Sequence, residues 1–124
     1  MPLAAIALVV LLAVLAAFQV ALALGAPLGR FAWGGQHEVL PLPLRVGSAV
    51  AIVVYAIIAV IALDRAELID VLAGPVARVT MWILVGYFAL SIAPNALSRS
   101  RSERNAMVPV SIALTALALL VAVG

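Results

Sequence analysis

The sequence predicts an all-α membrane protein, a four-helix bundle of up-down topology with short loops. Four long apolar runs are separated by segments that hold almost all the charge. Hydrophobic residues make up 68% of the 124 residues and charged residues 10%, with a mean hydropathy of +1.34. Soluble domains are typically about 45–50% apolar and about 25% charged. A soluble fold of this length could not bury so much apolar surface, but a bilayer can solvate it.

The predicted spans cover about residues 3–24, 46–63, 75–93 and 107–123, in a single membrane domain of residues 1–124. A bilayer core about 30 Å thick requires about 20 apolar residues in a helix. Span three has the weakest pattern, so we extend it back to Gly74 and Pro75, because proline suits the first helical turn. Span four is predicted to carry Pro109 in its opening turn.

The first apolar run could also be a signal peptide, since Ala21, Ala23 and Gly25 resemble a cleavage site. However, it lacks a preceding basic region, and its 22 residues exceed the roughly 7–15 of a signal peptide core. We therefore predict a retained membrane span.

The arginines indicate the orientation in the membrane. Loop one (residues 25–45) and loop three (94–106) emerge on the same side and carry five of the seven arginines: Arg30, Arg45, Arg99, Arg101 and Arg104. Arg65 and Arg78 lie toward the other side. Because basic loops stay in the cytoplasm, we predict a multi-pass protein of the inner (plasma) membrane. Loops one and three would be cytoplasmic and both termini external.

Composition also limits the chemistry. The chain has no cysteine, which excludes disulfides, thiol catalysis and cysteine metal sites. The single histidine, His37, argues against a zinc site, which usually needs three or four ligands. We therefore predict no metal and no cofactor. The net charge of +2 requires no nucleic-acid partner, because arginines flanking membrane spans account for it.

Loop one is rich in glycine and proline and has two interpretations. In the first it is an interfacial or re-entrant loop that caps the bundle. In the second it is a ligand site, where Gly34 and Gly35 present backbone N–H groups and Arg30 and Arg45 bind an anionic head group. Trp33 suits a membrane interface in either case.

His37 and Glu38 are adjacent in loop one. They could act as a general acid–base pair, although an exposed polar turn also explains them.

Loop three is either a positive-inside anchor or a phosphate-binding surface for anionic lipid. Its candidate residues are Asn95, Ser98, Arg99, Arg101, Glu103 and Arg104. Arg99 and Glu103 are four residues apart and would share a face if this stretch is helical. In an up-down bundle loops one and three are neighbours, so we expect them to form one site.

Two further features concern the rest of the chain. Loop two (residues 64–72) reads as a short amphipathic helix on the outer surface, with Leu68, Val71 and Leu72 toward lipid. Among the polar residues within the spans, Gln19 is the best candidate for a hydrogen bond between helices.

The loops resemble those of small, largely uncharacterised four-span bacterial membrane proteins. The resemblance covers Gly25-Ala-Pro-Leu-Gly29, Trp33-Gly34-Gly35, Leu40-Pro41 and Arg45, together with Asn95, Ser98 and Ser102-Glu103-Arg104. It implies a family and a four-span fold, not an activity. Size and span count are also similar to small multidrug resistance transporters. Those proteins carry an acidic residue within span one, where this chain has only Gln19.

Three function classes remain open. The favoured one is a non-enzymatic integral membrane protein, a possible homo-oligomer in contact with membrane lipids, whose cytoplasmic cap (25–45 and 94–106) binds anionic lipid or a partner. The second is an oligomeric small transporter or channel subunit. The third is a lipid-modifying membrane enzyme that uses His37 and Glu38. A transporter usually shows ionisable residues within the membrane, and an enzyme needs more convergent titratable groups than one pair.

Overall fold

The computed structural model describes residues 2–124, whose regular elements are all helical. Four long helices follow one another: α1 (Pro2–Ala23), α2 (Leu42–Arg65), α3 (Gly74–Ala96) and α4 (Arg101–Val123). Two short 3₁₀ turns, Gly29–Phe31 and Trp33–Gly35, lie in loop one. Each long helix has the length and hydropathy of a membrane span. The protein is therefore a multi-pass, all-α membrane protein, as the sequence predicted.

The helices form a closed four-helix bundle. Each helix packs against the next, and α1 also packs against α4. Leu8, Leu12 and Met81 are almost fully buried in the core, and Ala62 and Ala118 let the helices approach closely. Many valine, leucine and isoleucine side chains remain exposed on the outer faces. Lipid can cover such a surface, which water could not solvate at this extent.

Helix α4 begins earlier than the sequence analysis predicted, at Arg101 instead of residue 107. Ser100 is its N-cap, and the Ser100 hydroxyl accepts a hydrogen bond from the Glu103 amide at 3.2 Å. The spacing Ser-x-x-Glu is the pattern of a capping box. Arg101 and Glu103 therefore lie in the first helical turn. Pro109 lies inside α4, where its missing N–H leaves the carbonyl four residues earlier without a helical partner.

Loop one begins at the C-terminus of α1 and ends at the N-terminus of α2, and hydrogen bonds fix both ends. Gly25 has a φ of +92°, and the Ala26 amide donates to the Ala21 carbonyl at 2.9 Å, which is the pattern of a Schellman cap. Helix α2 begins at Leu42, four residues before the predicted span. Its first turn carries Arg45, whose Nε donates to the Ala23 carbonyl at 2.9 Å. This arginine stabilises the end of α1.

Loop two is not the amphipathic helix that the sequence analysis predicted. Helix α2 continues to Arg65, and Glu67 then takes a left-handed φ of 63°. The Leu68 amide donates back to the Leu63 carbonyl at 3.0 Å, which ends the helix. The buried Asp64 carboxylate accepts hydrogen bonds from the Val71 and Leu72 amides, both at 2.7 Å. These bonds hold the segment as a compact turn instead of a helix.

Candidate functional site

Loops one and three are in direct contact, as the up-down topology predicted. The Gly34 amide of loop one donates to Glu103 Oε2 at 3.0 Å. The Ser100 hydroxyl donates to the Arg30 carbonyl. Glu103 is only 6% exposed, and the partner shown for its carboxylate is this backbone amide instead of a loop arginine. The two loops thus form one cap over an end of the bundle.

The Trp33–Gly35 turn has a backbone that few sequences could adopt. Trp33, Gly34 and Gly35 have φ values of 52°, 81° and 72°, all in the left-handed region that glycine tolerates and a bulky residue rarely adopts. At Gly35 an added Cβ would lie 2.2 Å from the Ser100 Cβ, whereas Gly34 has open space around it. Gly35 is therefore required for the close approach of loop three, and Gly34 for the backbone conformation.

Trp33 connects this turn to α2. Its indole Nε1 donates to the buried Ser48 hydroxyl at 3.1 Å. The ring lies so close to Gly47 that an added Cβ there would be 2.9 Å from the indole. Backbone strain at Trp33 is a cost that the surrounding contacts must offset. The result is an indole held in one position across the end of the bundle.

Beneath Trp33 lies a cavity of about 210 Å³, partly open to the surroundings. All four helices contribute to its walls, and Phe31, Ala32 and Trp33 of loop one cover it. Its polar lining residues are Gln19, Tyr55, Tyr87, Ser91, Asn95, Glu103 and Ser111. Among residues 2–124, Glu103 is the one formally charged side chain that lines the cavity. The cavity is amphipathic and lies at the end of the bundle where loops one and three meet.

The aromatic residues of the chain are concentrated at this cavity. The protein has three phenylalanines, two tyrosines and two tryptophans, and all of these except Trp82 line its walls: Phe18, Phe31, Trp33, Tyr55, Tyr87 and Phe88. A core that simply filled space would spread its aromatic rings along the whole bundle. The far half of this bundle is instead filled by aliphatic side chains such as Leu8 and Met81.

Two polar groups in the cavity bear on the predicted hydrogen bond between helices. Asn95 Nδ2 donates to the Ser111 hydroxyl and so joins α3 to α4, and Asn95 lies in the last turn of α3 instead of a loop. The Gln19 side chain is in hydrogen-bond contact with Tyr55 of α2, as expected. Its Oε1 atom is buried without a hydrogen-bond partner among residues 2–124.

The other predicted site residues have three kinds of environment. Arg45 and Arg104 bond to backbone carbonyls, those of Ala23 and Ser98. The Ser98 hydroxyl accepts from the Ser100 amide at 3.2 Å, so Ser98 serves the local turn.

Besides Trp33 and Gly34, five predicted site residues are exposed, namely Arg30, His37, Glu38, Arg99 and Arg101. The Arg30 guanidinium lies over the Phe31 ring, 4.8 Å from its centroid. The Glu38 carbonyl accepts a hydrogen bond from the Gly29 amide at 2.8 Å. Neither His37 nor Glu38 lines the cavity.

Sequence reasoning missed Phe18, Phe88, Ser48, Ser91 and Ser111 as site residues. One pattern could have found the aromatic pair: Phe18 and Phe88 both lie in the half of their spans nearest loops one and three. The serines give no such pattern, because a single hydroxyl in an apolar helix can equally bond its own backbone. Ser91 does so with the Phe88 carbonyl, at 2.6 Å.

Searches of family models, curated proteins and solved structures found no match to this chain. Within residues 2–124 no group of three or more His, Asp or Glu side chains is placed to hold a metal ion. The fold and site therefore define the class: a multi-pass four-helix membrane protein with an amphipathic cavity under a two-loop cap.

Proposed function

We propose that this protein is a non-enzymatic, membrane-embedded binding protein that holds a small amphipathic molecule in the cavity beneath Trp33. The observation that carries the proposal is the convergence of aromatic and polar side chains from all four helices on one space of about 210 Å³. An apolar cavity of about 150 Å³ already accommodates benzene. A ligand slightly larger than benzene therefore fits, beside the polar side chains of Gln19, Tyr55 and Asn95.

The far half of the bundle supports binding over passage through the membrane. Leu8, Leu12 and Met81 are at most 1% exposed there, so tightly packed aliphatic side chains close the route beyond the cavity. The transporter or channel alternative requires those side chains to separate.

The enzyme alternative depends on His37 and Glu38. Both side chains are exposed on loop one and lie outside the cavity walls. A substrate at the membrane surface that reached them would not contact the polar and aromatic side chains of the cavity. This favours a binding function for the cavity.

We also propose that the capped end faces the cytoplasm. Arg30, Arg99 and Arg101 are exposed at this end, where they suit the anionic head groups of the cytoplasmic leaflet. The cap would thereby anchor the bundle while the cavity binds its ligand.

The chain allows a direct test, because one of its two tryptophans lines the cavity and the other does not. In a Trp82→Phe variant in lipid nanodiscs, Trp33 emission reports on the cavity. We expect it to change saturably on titration with choline or with its neutral isostere 3,3-dimethylbutan-1-ol. Val110→Phe, which fills the cavity wall, should abolish the change. Val79→Phe, on an exposed lipid-facing position of α3, is the matched control.

A Trp33 emission that neither probe alters would contradict a binding cavity. The same conclusion would follow if the cavity-filled variant responded like the control.

A further inference from the structure

We propose that the cavity selects a small alkylammonium cation, an inference that rests on the binding function proposed above. Six aromatic rings and one carboxylate surround a space that no basic side chain enters among the described residues. This chemistry is opposite to that of the arginine-rich exterior of the cap, which suits anions.

The aromatic rings supply the first argument. The face of an aromatic ring carries partial negative charge and attracts cations within about 6 Å of its centroid, most strongly where water is excluded. Quaternary ammonium groups are typically held by several such rings at once. Phe18, Tyr55 and Phe88 come from three different helices, so each of these helices contributes a ring to the cavity wall.

The second argument is the charge balance at Glu103. The Glu103 carboxylate is only 6% exposed, and the Gly34 amide donates to its Oε2 atom. A buried carboxylate is most stable when it is paired or fully hydrogen-bonded. The first turn of α4 already places partial positive charge beside Glu103. Arg30, Arg99 and Arg101 are exposed, and Arg104 bonds the Ser98 carbonyl, so a ligand cation would add the full positive charge that the described lining residues do not supply.

Arg30 opposes this attraction and has to be weighed. Its guanidinium lies over Phe31 at 4.8 Å, so one ring of the wall already has a cation on it. Arg30 is exposed, and water and salt screen an exposed charge over a distance of about 8–10 Å. Glu103 and Phe88 are less screened because they are buried, at 6% and 3% exposed, although Trp33 and Tyr87 are 45% and 58% exposed. The balance favours a cation inside the cavity.

Size and source complete the proposal. A volume of about 210 Å³ suits a head group slightly larger than benzene, as choline is. The ammonium could be that of a free small molecule or of a lipid head group that enters through the open side of the cavity. Both sources present the same chemistry to the wall.

The test compares choline with 3,3-dimethylbutan-1-ol, which has the same shape with carbon in place of the charged nitrogen. In the Trp82→Phe background we expect choline to bind at least about tenfold more tightly. Glu103→Gln should lower the choline affinity by about tenfold or more, while the neutral isostere should lose much less affinity, because only the cap contact and not a charge interaction changes for it. Glu67→Gln removes the same charge from an exposed position at the other end of the bundle and should change neither affinity.

A second variant keeps the test independent of Glu103. Tyr55→Leu removes one ring from the wall and should weaken choline by about two- to thirtyfold, with a smaller effect on the isostere. If choline and its neutral isostere bind the Trp82→Phe protein with equal affinity, the cation proposal is overturned, while the proposed binding function stands. If neither probe bound, the binding function itself would fail.

Nanodisc composition distinguishes the two sources. If a lipid head group is the natural occupant, phosphatidylcholine discs should weaken the response to free choline relative to discs of an uncharged galactolipid, and native mass spectrometry should show retained phosphatidylcholine. If a free cation is the occupant, the two lipids should give the same response. Stronger choline binding in phosphatidylcholine discs contradicts occupancy by either source.

Discussion

The Gly34 amide donates to Glu103 Oε2 at 3.0 Å, across 69 positions of the chain. The bond joins a left-handed turn in loop one to the first turn of α4. It also holds the only carboxylate of the cavity wall against the backbone that covers the cavity. One hydrogen bond thus joins loop one, which covers the cavity, to the Glu103 carboxylate of the cavity wall.

This contact predicts the effect of substitutions at Glu103. Glu103→Ala leaves the Gly34 amide unpaired and should cost about 1–3 kcal/mol of local stability. Glu103→Gln keeps an acceptor but loses the charge, so it should loosen the cap less. Loop one can be cut by trypsin after Arg30, which is exposed, and the cleavage rate should rise in the order wild type, Gln, Ala. Equal rates for all three proteins would show that the bond does not hold the cap.

The two adjacent glycines predict a contrast. Ala at Gly34 meets open space but a φ of +81°, which should cost about 1–2 kcal/mol. Ala at Gly35 has a similar φ and also a Cβ 2.2 Å from the Ser100 Cβ, so it should separate the two loops. We expect Gly35→Ala to lower the melting temperature in detergent more than Gly34→Ala does, and to speed trypsin cleavage after Arg30. Gly74→Ala, at an uncrowded helix start, is the neutral control, and a Gly34→Ala effect as large as that of Gly35→Ala would refute the steric argument.

At the opposite end of the bundle, we expect Asp64 to stabilise loop two independently of the cap. Its carboxylate bonds two amides at 2.7 Å, and charge-assisted bonds of this kind contribute about 1.5–3 kcal/mol each. Asp64→Ala should speed hydrogen exchange at Val71 and Leu72, while loop one exchanges as before. Asp70→Ala removes an exposed carboxylate from the same loop and should leave exchange unchanged. Unaltered exchange in Asp64→Ala would show that loop two is held by other contacts.

Orientation is tested by cysteine labelling, since the natural chain has no cysteine. Leu97 is 82% exposed beside the cap and is a better site than Ser100, which caps α4. If the cap is cytoplasmic, an impermeant thiol reagent should label Glu67→Cys in intact cells and Leu97→Cys only after permeabilisation. The reverse pattern would place the cap outside.

The class of fold could be predicted from the sequence because the free energy of placing a helix in a membrane depends mainly on its length and amino-acid composition. Any helix of about 20 apolar residues has lower free energy in lipid than in water, whatever its neighbours are. The number of spans and the side-by-side position of loops one and three follow from this rule and from chain connectivity. The start of α4 could also have been predicted, because Ser100 and Glu103 have capping-box spacing.

The site depended on the tertiary structure. Gln19, Asn95 and Glu103 lie on three different elements, and no local pattern relates them. Only helix packing brings them to one cavity, because the rotation of each helix about its own axis is set by contacts with all its neighbours. The sequence determined that this protein spans a membrane four times. Packing decided that the buried Glu103 carboxylate lines the same cavity as six aromatic side chains, because side-chain proximity across a bundle is a property of the assembled helices and not of any one of them.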